Sequence, residues 1–215
     1  MKQIARVLLR HYLRYSYKID RKVVTTLGGR LFDGLHPKNV FNYRYEFFLN
    51  NVDSNDVVLD IGCGTGLILN KLAANIQGGV GIDVSSKNIA LCQKLHRKDN
   101  LEFVHGDILQ INYRELRKSR PYNTAVFSHV LEHLQEPQEL IFRVRASKVL
   151  ICVPSQENWY TQLLKHLNLP YFSDRTHCRE YSREMLIQEL RGVGYRIDDI
   201  GFNNEGEIVC KATTH

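Results

Sequence analysis

No run of apolar residues in this chain approaches the ~20 that a membrane-spanning helix needs. Arg6, Arg10 and Arg14 interrupt the N-terminal stretch where a secretory signal would keep an apolar core. Neither a transmembrane span nor a secretory signal is expected. Proline is scarce, at 5 of 215 residues, and glycine, at 14, is ordinary, which excludes collagen-like, low-complexity and largely disordered chains. The five cysteines (Cys63, Cys92, Cys152, Cys178 and Cys210) are odd in number, widely spaced and without a Cys-x-x-Cys pair. Neither a disulfide framework nor a zinc ribbon is indicated, and a reducing cytoplasm is the expected home. Acids are few at the start: residues 1–50 hold ten Lys and Arg against three Asp and Glu, while the rest of the chain is nearly balanced.

What is present suits a packed core of one domain, with 43% hydrophobic and 24% charged residues in 25.0 kDa. Residues 1–40 form a basic arm. Lys2, Arg6, Arg10, Arg14 and Lys18 recur every four residues, and Ile4, Val7, Leu8, Tyr12, Tyr15 and Ile19 fall largely on another face. That pattern is a basic amphipathic helix. It suits docking on the domain, peripheral contact with an anionic membrane or, less well, nucleic-acid phosphates.

From Val57 onward, short apolar or β-branched runs alternate with helical patterns, the signature of a parallel sheet covered by helices. Strands are expected near 57–61, 79–83, 101–104, 123–128 and 147–153, with helices over 66–75, 86–96 and 135–143. Ser85 or Ser86 is the candidate cap of the second helix. After Pro154 a polar and aromatic insertion runs to about 180, followed by a helix over 183–191 and strands over 195–200 and 207–212, turned by Gly201 to Gly206. Long insertions on a rigid scaffold are often binding surfaces.

Three segments carry chemistry. Val57 to Gly66 runs a buried strand into Gly62, Gly64 and Gly66 and then a helix, a turn whose amides can approach a ligand closely and whose helix start favours an anionic group. Leu67 stands where the dinucleotide fingerprint places its third glycine, and no Gly-Lys-Ser/Thr is present. Asp83 ends the next strand and can accept from both hydroxyls of a ribose. Asp107 follows the third strand and could accept from an adenine amino group while Ile108 covers the ring; by itself it reads more often as a helix cap or turn residue.

With Phe127 to Leu134, these segments resemble in order and spacing the class I S-adenosylmethionine-dependent methyltransferases, over roughly residues 40–213. The resemblance implies a Rossmann-like, doubly wound α/β domain over 41–215, with a seven-stranded, mostly parallel sheet whose last strand is antiparallel and a substrate-side insertion near 154–180. It implies S-adenosylmethionine as cofactor, with Gly62 and Gly64 at its methionine part, Asp60 at the amine or shaping the turn, Asp83 on the ribose, Asp107 and Ile108 at the adenine, and Ser128 near the sulfonium. His36 to Arg44 resembles the start of quinone-pathway O-methyltransferases and makes Arg44 the candidate for the cofactor carboxylate.

Methyl transfer from a sulfonium needs alignment, and a base chiefly when the acceptor is a hydroxyl. His129 and His133 are the candidate bases. With Glu132 their 1, 4, 5 spacing predicts one face of a helical turn. This trio with His177 also has metal-ligand chemistry, yet metal-using quinone O-methyltransferases carry an acid where this chain has His129, so no metal is assigned. Thr176 to Ser182 resembles a His-x-Arg-x-Tyr-Ser segment of these enzymes, giving His177, Arg179 and Tyr181, with the aromatics Trp159 and Tyr160, as candidates to hold a small, ring-bearing or lipid-like acceptor. O-methylation is the expected chemistry. An RNA methyltransferase and a non-catalytic subunit that activates a partner remain alternatives.

Overall fold

Side chains on a strand alternate between faces, so a strand buried on both sides is predominantly apolar, with its few polar side chains near its ends. Val57–Ile61 (β1), Thr124–Ser128 (β4) and Lys148–Val153 (β5) are of this kind. The computed structural model describes residues 7–10, 12, 26, 27, 30, 44–169, 171 and 176–214. With Gly78–Asp83 (β2), Leu101–His105 (β3), Tyr195–Phe202 (β6) and Ile208–Thr214 (β7), those strands form one seven-stranded sheet of order β3-β2-β1-β4-β5-β7-β6. The first five pair in parallel, and β7 runs antiparallel to both its neighbours. This is the doubly wound, Rossmann-like arrangement expected, and the crevice above its carboxyl edge, beside β1 where the order reverses, is where such sheets bind ligands.

The two faces are packed by different helices. Leu59, Ile61, Ala125, Phe127, Val149 and Ile151 point into a core shared with residues of Tyr113–Ser119 (α4), Pro137–Val144 (α5) and Arg183–Gly192 (α7). Val58, Val126, Leu150 and Cys152 point the other way, onto residues of Arg44–Leu49 (α1), Leu67–Leu72 (α2) and Ser86–Leu95 (α3). At the amino edge of the sheet, Asp56 gathers a buried polar cluster. It accepts from Thr124 Oγ1 at 2.8 Å, Lys148 Nζ at 2.6 Å and the Asp53 amide at 2.8 Å, tying the starts of β1, β4 and β5 together.

Local chemistry accounts for the element ends. Ser85 caps α3 by accepting from the Asn88 amide at 3.3 Å. The helix expected over 66–75 is α2 followed by a 3₁₀ turn, Ala73–Asn75. Helix α4 was not expected, although Asn112 followed by Glu115 is a start signal: Asn112 Oδ1 accepts from the Glu115 amide at 3.3 Å. Inside the 154–180 insertion, Trp159–His166 (α6) is helical and capped by Asn158, whose side chain accepts from the Thr161 amide at 2.8 Å. The hairpin turn falls at 203–207, because β6 continues to Phe202.

The chain divides into two compact units. One, residues 44–156 and 173–215, holds the whole sheet and every helix above except α6. The other, residues 1–43 and 157–172, holds α6 and the helical residues 7–10, 12, 26, 27 and 30. Most of the basic arm's repeating residues lie outside the described residues. Among the described residues, no helix is long and apolar enough to cross a membrane.

Candidate functional site

The glycine turn leaves the sheet at the carboxyl end of β1. Gly62, Gly64 and Gly66 have φ of 67°, 54° and 73°, the left-handed region that side chains with a Cβ rarely enter. Gly62 is doubly constrained, since a Cβ there would sit 2.8 Å from Val130 Cγ2. Asp83, at the end of β2, fixes the turn from the next strand. Its Oδ2 accepts from the Gly64 amide at 2.8 Å, and its Oδ1 accepts from the Ser85 amide at 2.8 Å and Asn88 Nδ2 at 3.3 Å.

Asp60 sits one residue before the end of β1, 1% exposed, and its Oδ2 has no hydrogen-bond partner. Burial, with the nearby Asp83 charge, pushes its pKa from 3.8 up to about 8. An unpartnered buried carboxyl oxygen is costly unless a ligand completes it. Asp60, Asp83 and the glycine turn therefore fit a ligand that brings a cation and hydroxyls, as the amine and ribose of S-adenosylmethionine do. Asp107 Oδ1 accepts from the Leu109 amide at 2.9 Å, closing the turn after β3, and Ile108 is half-buried against the core. Ser128 ends β4 opposite Cys152 of β5. Arg44 is the first residue of α1, and its side chain lies outside the described residues.

The segment after β4 departs from the helical turn its spacing predicts. His129 is itself left-handed, φ 56°, with its amide donating to Cys152 O at 2.9 Å, and only Leu131–His133 is helical, as a 3₁₀ turn. The trio consequently does not share one helical face. His129 Nδ1 lies 3.3 Å from Glu132 Oε1, and its Nε2 lies 2.8 Å from Glu207 Oε1. His133 Nδ1 instead meets Thr176 Oγ1 at 2.9 Å, and its ring packs edge-on against His177, centroids 4.7 Å apart. His177 Nε2 is 4.0 Å from Glu132 Oε1, on a side chain 3% exposed. Glu132, His133 and His177 thus bring donor atoms together, as do His129, Cys152 and Glu207.

Arg179 and Tyr181, expected at the acceptor, are engaged in structure. Arg179 donates to Glu189 Oε1 at 2.6 Å and to the Gln135 carbonyl. Tyr181 has no exposed surface, and its hydroxyl donates to Glu189 Oε2 at 3.0 Å. Burial raises the pKa of both Tyr181 and Glu189. Together they anchor the end of the insertion to α7. Trp159 and Tyr160 open α6 in the other unit, rings edge-on at 5.6 Å, with Trp159 76% exposed. A cleft lined by Gln138, Met185, Gln188, Glu189, Gly192 and Val193 shares no residue with the glycine turn.

The sequence reading missed Asn88, Thr176, Glu189, Asn203 and Glu207. Only Asn88, one turn into a capped helix behind Asp83, carried a local signal; the others come to the site through long-range packing.

Comparison with known proteins bears on most of the sheet-bearing unit. The family described as a methyltransferase domain matches residues 36–200. The ubiquinone biosynthesis O-methyltransferase of Rickettsia canadensis is 28% identical over 107 residues, 47% of this chain and 44% of that protein. The probable ribosomal RNA small subunit methyltransferase A of Thermococcus gammatolerans is 26% identical over 113 residues, 50% of this chain and 41% of that protein. The alignment to each of these relatives spans less than half of the relative's length. In fold, the chain is similar to the magnesium protoporphyrin IX methyltransferase of Synechocystis PCC 6803 with bound S-adenosylhomocysteine: TM-score 0.64 at 16% identity, covering 93% of this chain and 100% of that one.

Proposed function

Because the chain belongs to the methyltransferase-domain family, we propose that it is an S-adenosylmethionine-dependent methyltransferase that methylates an oxygen of a small-molecule acceptor. The observation that carries the reading is the cradle at the ends of β1 and β2: three glycines at positive φ, held to Asp83 through the Gly64 amide, beside the unpartnered buried oxygen of Asp60. Asp60 and Arg44 hold the amine and carboxylate of the cofactor, Gly62 and Gly64 admit its methionine part, Asp83 binds the ribose, Asp107 and Ile108 the adenine, and Ser128 borders the reacting centre. The oxygen acceptor is supported by the similarity to ubiquinone biosynthesis O-methyltransferases.

Bound there, the cofactor supplies an activated sulfonium methyl group. The protein's work is alignment, exclusion of water and handling of the acceptor proton. His133 is the base: Thr176 engages its Nδ1, which leaves Nε2 to take a proton from a hydroxyl. His129 is poorly suited to that task, because each of its ring nitrogens already faces a carboxylate. His177 packs on His133 and fixes its ring plane.

The test is calorimetric titration with S-adenosylmethionine, S-adenosylhomocysteine and NADH in parallel. Micromolar binding of both sulfur ligands and none of NADH is the expected result. Failure of both sulfur ligands with folded protein, or binding of NADH alone, overturns the assignment.

A further inference from the structure

At the carboxyl edge of the sheet, three neighbouring strands deliver one donor atom each to a single point. His129 follows β4, Cys152 is the penultimate residue of β5, and Glu207 precedes β7. We infer that His129 Nε2, Cys152 Sγ and Glu207 form a binding site for a borderline-soft divalent cation of the zinc class, separate from the cofactor cradle.

The spacing supports it. Glu207 Oε1 lies 2.8 Å from His129 Nε2, Glu207 Oε2 lies 3.3 Å from Cys152 Sγ, and the donor atoms of all three residues fall within 4.8 Å of one another. Ligand atoms of a tetrahedral zinc site with ordinary bond lengths stand roughly 3.3 to 3.5 Å apart, so modest side-chain adjustment seats the ion. The chemistry matches as well. An imidazole, a thiolate and a carboxylate are the donors zinc takes, and thiolate plus carboxylate neutralise the dication in a region where Cys152 is fully buried and Glu207 8% exposed. Binding moves the Cys152 thiol proton to solvent.

The outer contacts are those a metal site needs. A ligating histidine usually presents its other ring nitrogen to a carboxylate. Here that carboxylate is Glu132, fully buried, 3.3 Å from Nδ1 and with no hydrogen-bond partner at either oxygen, which leaves Nε2 as the metal-facing atom. Glu207 is oriented by Asn203, whose Nδ2 donates to Glu207 Oε2 at 2.9 Å while its Oδ1 accepts the Glu205 and Glu207 amides at 3.0 Å. The left-handed backbone of His129, uncommon for a residue with a side chain, is a local strain of the kind kept at functional positions. Three protein ligands leave a fourth position for water or an acceptor oxygen.

The experiment titrates chelator-treated full-length protein with Zn²⁺ by calorimetry and with Co²⁺ by absorption. One equivalent of each is expected to bind, the Co²⁺ form showing the thiolate charge-transfer band in the near ultraviolet. Cys152→Ser should abolish that band, Glu207→Gln should weaken binding at least tenfold, and Asn203→Ala should weaken it about 10- to 100-fold. His133→Ala should leave the spectrum unchanged. Absence of saturable binding overturns the proposal. So does a cobalt spectrum without the thiolate band, which would put the ion on nitrogen and oxygen donors such as Glu132, His133 and His177, or a band that survives Cys152→Ser. Should Cys152→Ser fail to fold, Glu207→Gln decides: unchanged affinity removes the site. None of these readouts depends on methyl transfer, so failure here leaves the methyltransferase reading standing.

Discussion

The carboxylate of Asp83 accepts a hydrogen bond from the backbone amide of Gly64 at 2.8 Å, joining the end of β2 to the glycine turn that follows β1. One side chain therefore has two duties, shaping the cradle and, in the proposed function, holding the ribose. Asp83→Ala removes charged acceptors worth about 1.5 to 3 kcal/mol each. It should lower S-adenosylmethionine affinity at least tenfold by calorimetry and also lower the thermal midpoint, because the turn loses its staple. Parent-like binding would contradict the site assignment.

Asp60 gives a pH signature. Unfolded, it ionises near its ordinary 3.8; folded, it keeps its proton up to about 8, because burial and then the Asp83 charge oppose ionisation. The folded state thus binds more protons in that window, so this group's contribution to stability falls as pH rises from about 4 to about 8 and stays low above. Urea unfolding of parent and Asp60→Asn across that range should show the steeper fall in the parent. A cofactor ammonium beside Asp60 favours the ionised form, so binding near neutrality should release a proton, detected as a buffer-dependent binding enthalpy that Asp60→Asn abolishes.

The Asp56 cluster should behave as structure alone. Asp56→Ala leaves Lys148, 9% exposed, without its buried partner. Breaking such a pair from one side costs about 3 to 5 kcal/mol, measurable as a lowered urea midpoint. Asp53→Ala should leave the midpoint close to the parent's, since that carboxylate is exposed even though Lys148 holds its pKa below the usual range.

Tyr181→Phe separates packing from acceptor binding. The hydroxyl donates to buried Glu189, so its loss should cost roughly 1 to 3 kcal/mol of stability. With Tyr181 wholly buried, the acceptor KM should not move. A raised KM at parent-like stability would return Tyr181 to the acceptor site.

His133→Ala should lower kcat roughly a hundred- to ten-thousand-fold at unchanged cofactor affinity, the range for loss of a general base. Steady-state kinetics beside calorimetry reads both. Unchanged turnover would return His133 to a packing role.

Much of this molecule was legible in one dimension. Buried strands such as Val57–Ile61 and Lys148–Val153 are predominantly apolar runs, broken only by Asp60 and Lys148, and the glycines, Asp83 and Ser85 occupy positions where backbone geometry admits few alternatives. These follow from neighbours in the chain, which is why the sheet, its strand ends and the cradle could be placed by pattern. The spacing of His129, Glu132 and His133 misled for the same reason: a helical period was assumed where His129 adopts a left-handed backbone and hands its amide to Cys152 across the sheet. Arg179 and Tyr181 read as acceptor contacts until Glu189, on the following helix, claimed them.

The sequence by itself determined the strands, their alternation with helices and the glycine turn with its two aspartates, because local sterics and burial suffice for each. Tertiary structure alone decided which carboxylates meet His129, that His133 turns its Nδ1 to Thr176, and that Cys152 and Glu207, 55 residues apart, converge on one point. Those pairings depend on strand order and register, and β7 enters the sheet antiparallel beside β5, a placement that no local pattern around Glu207 specifies.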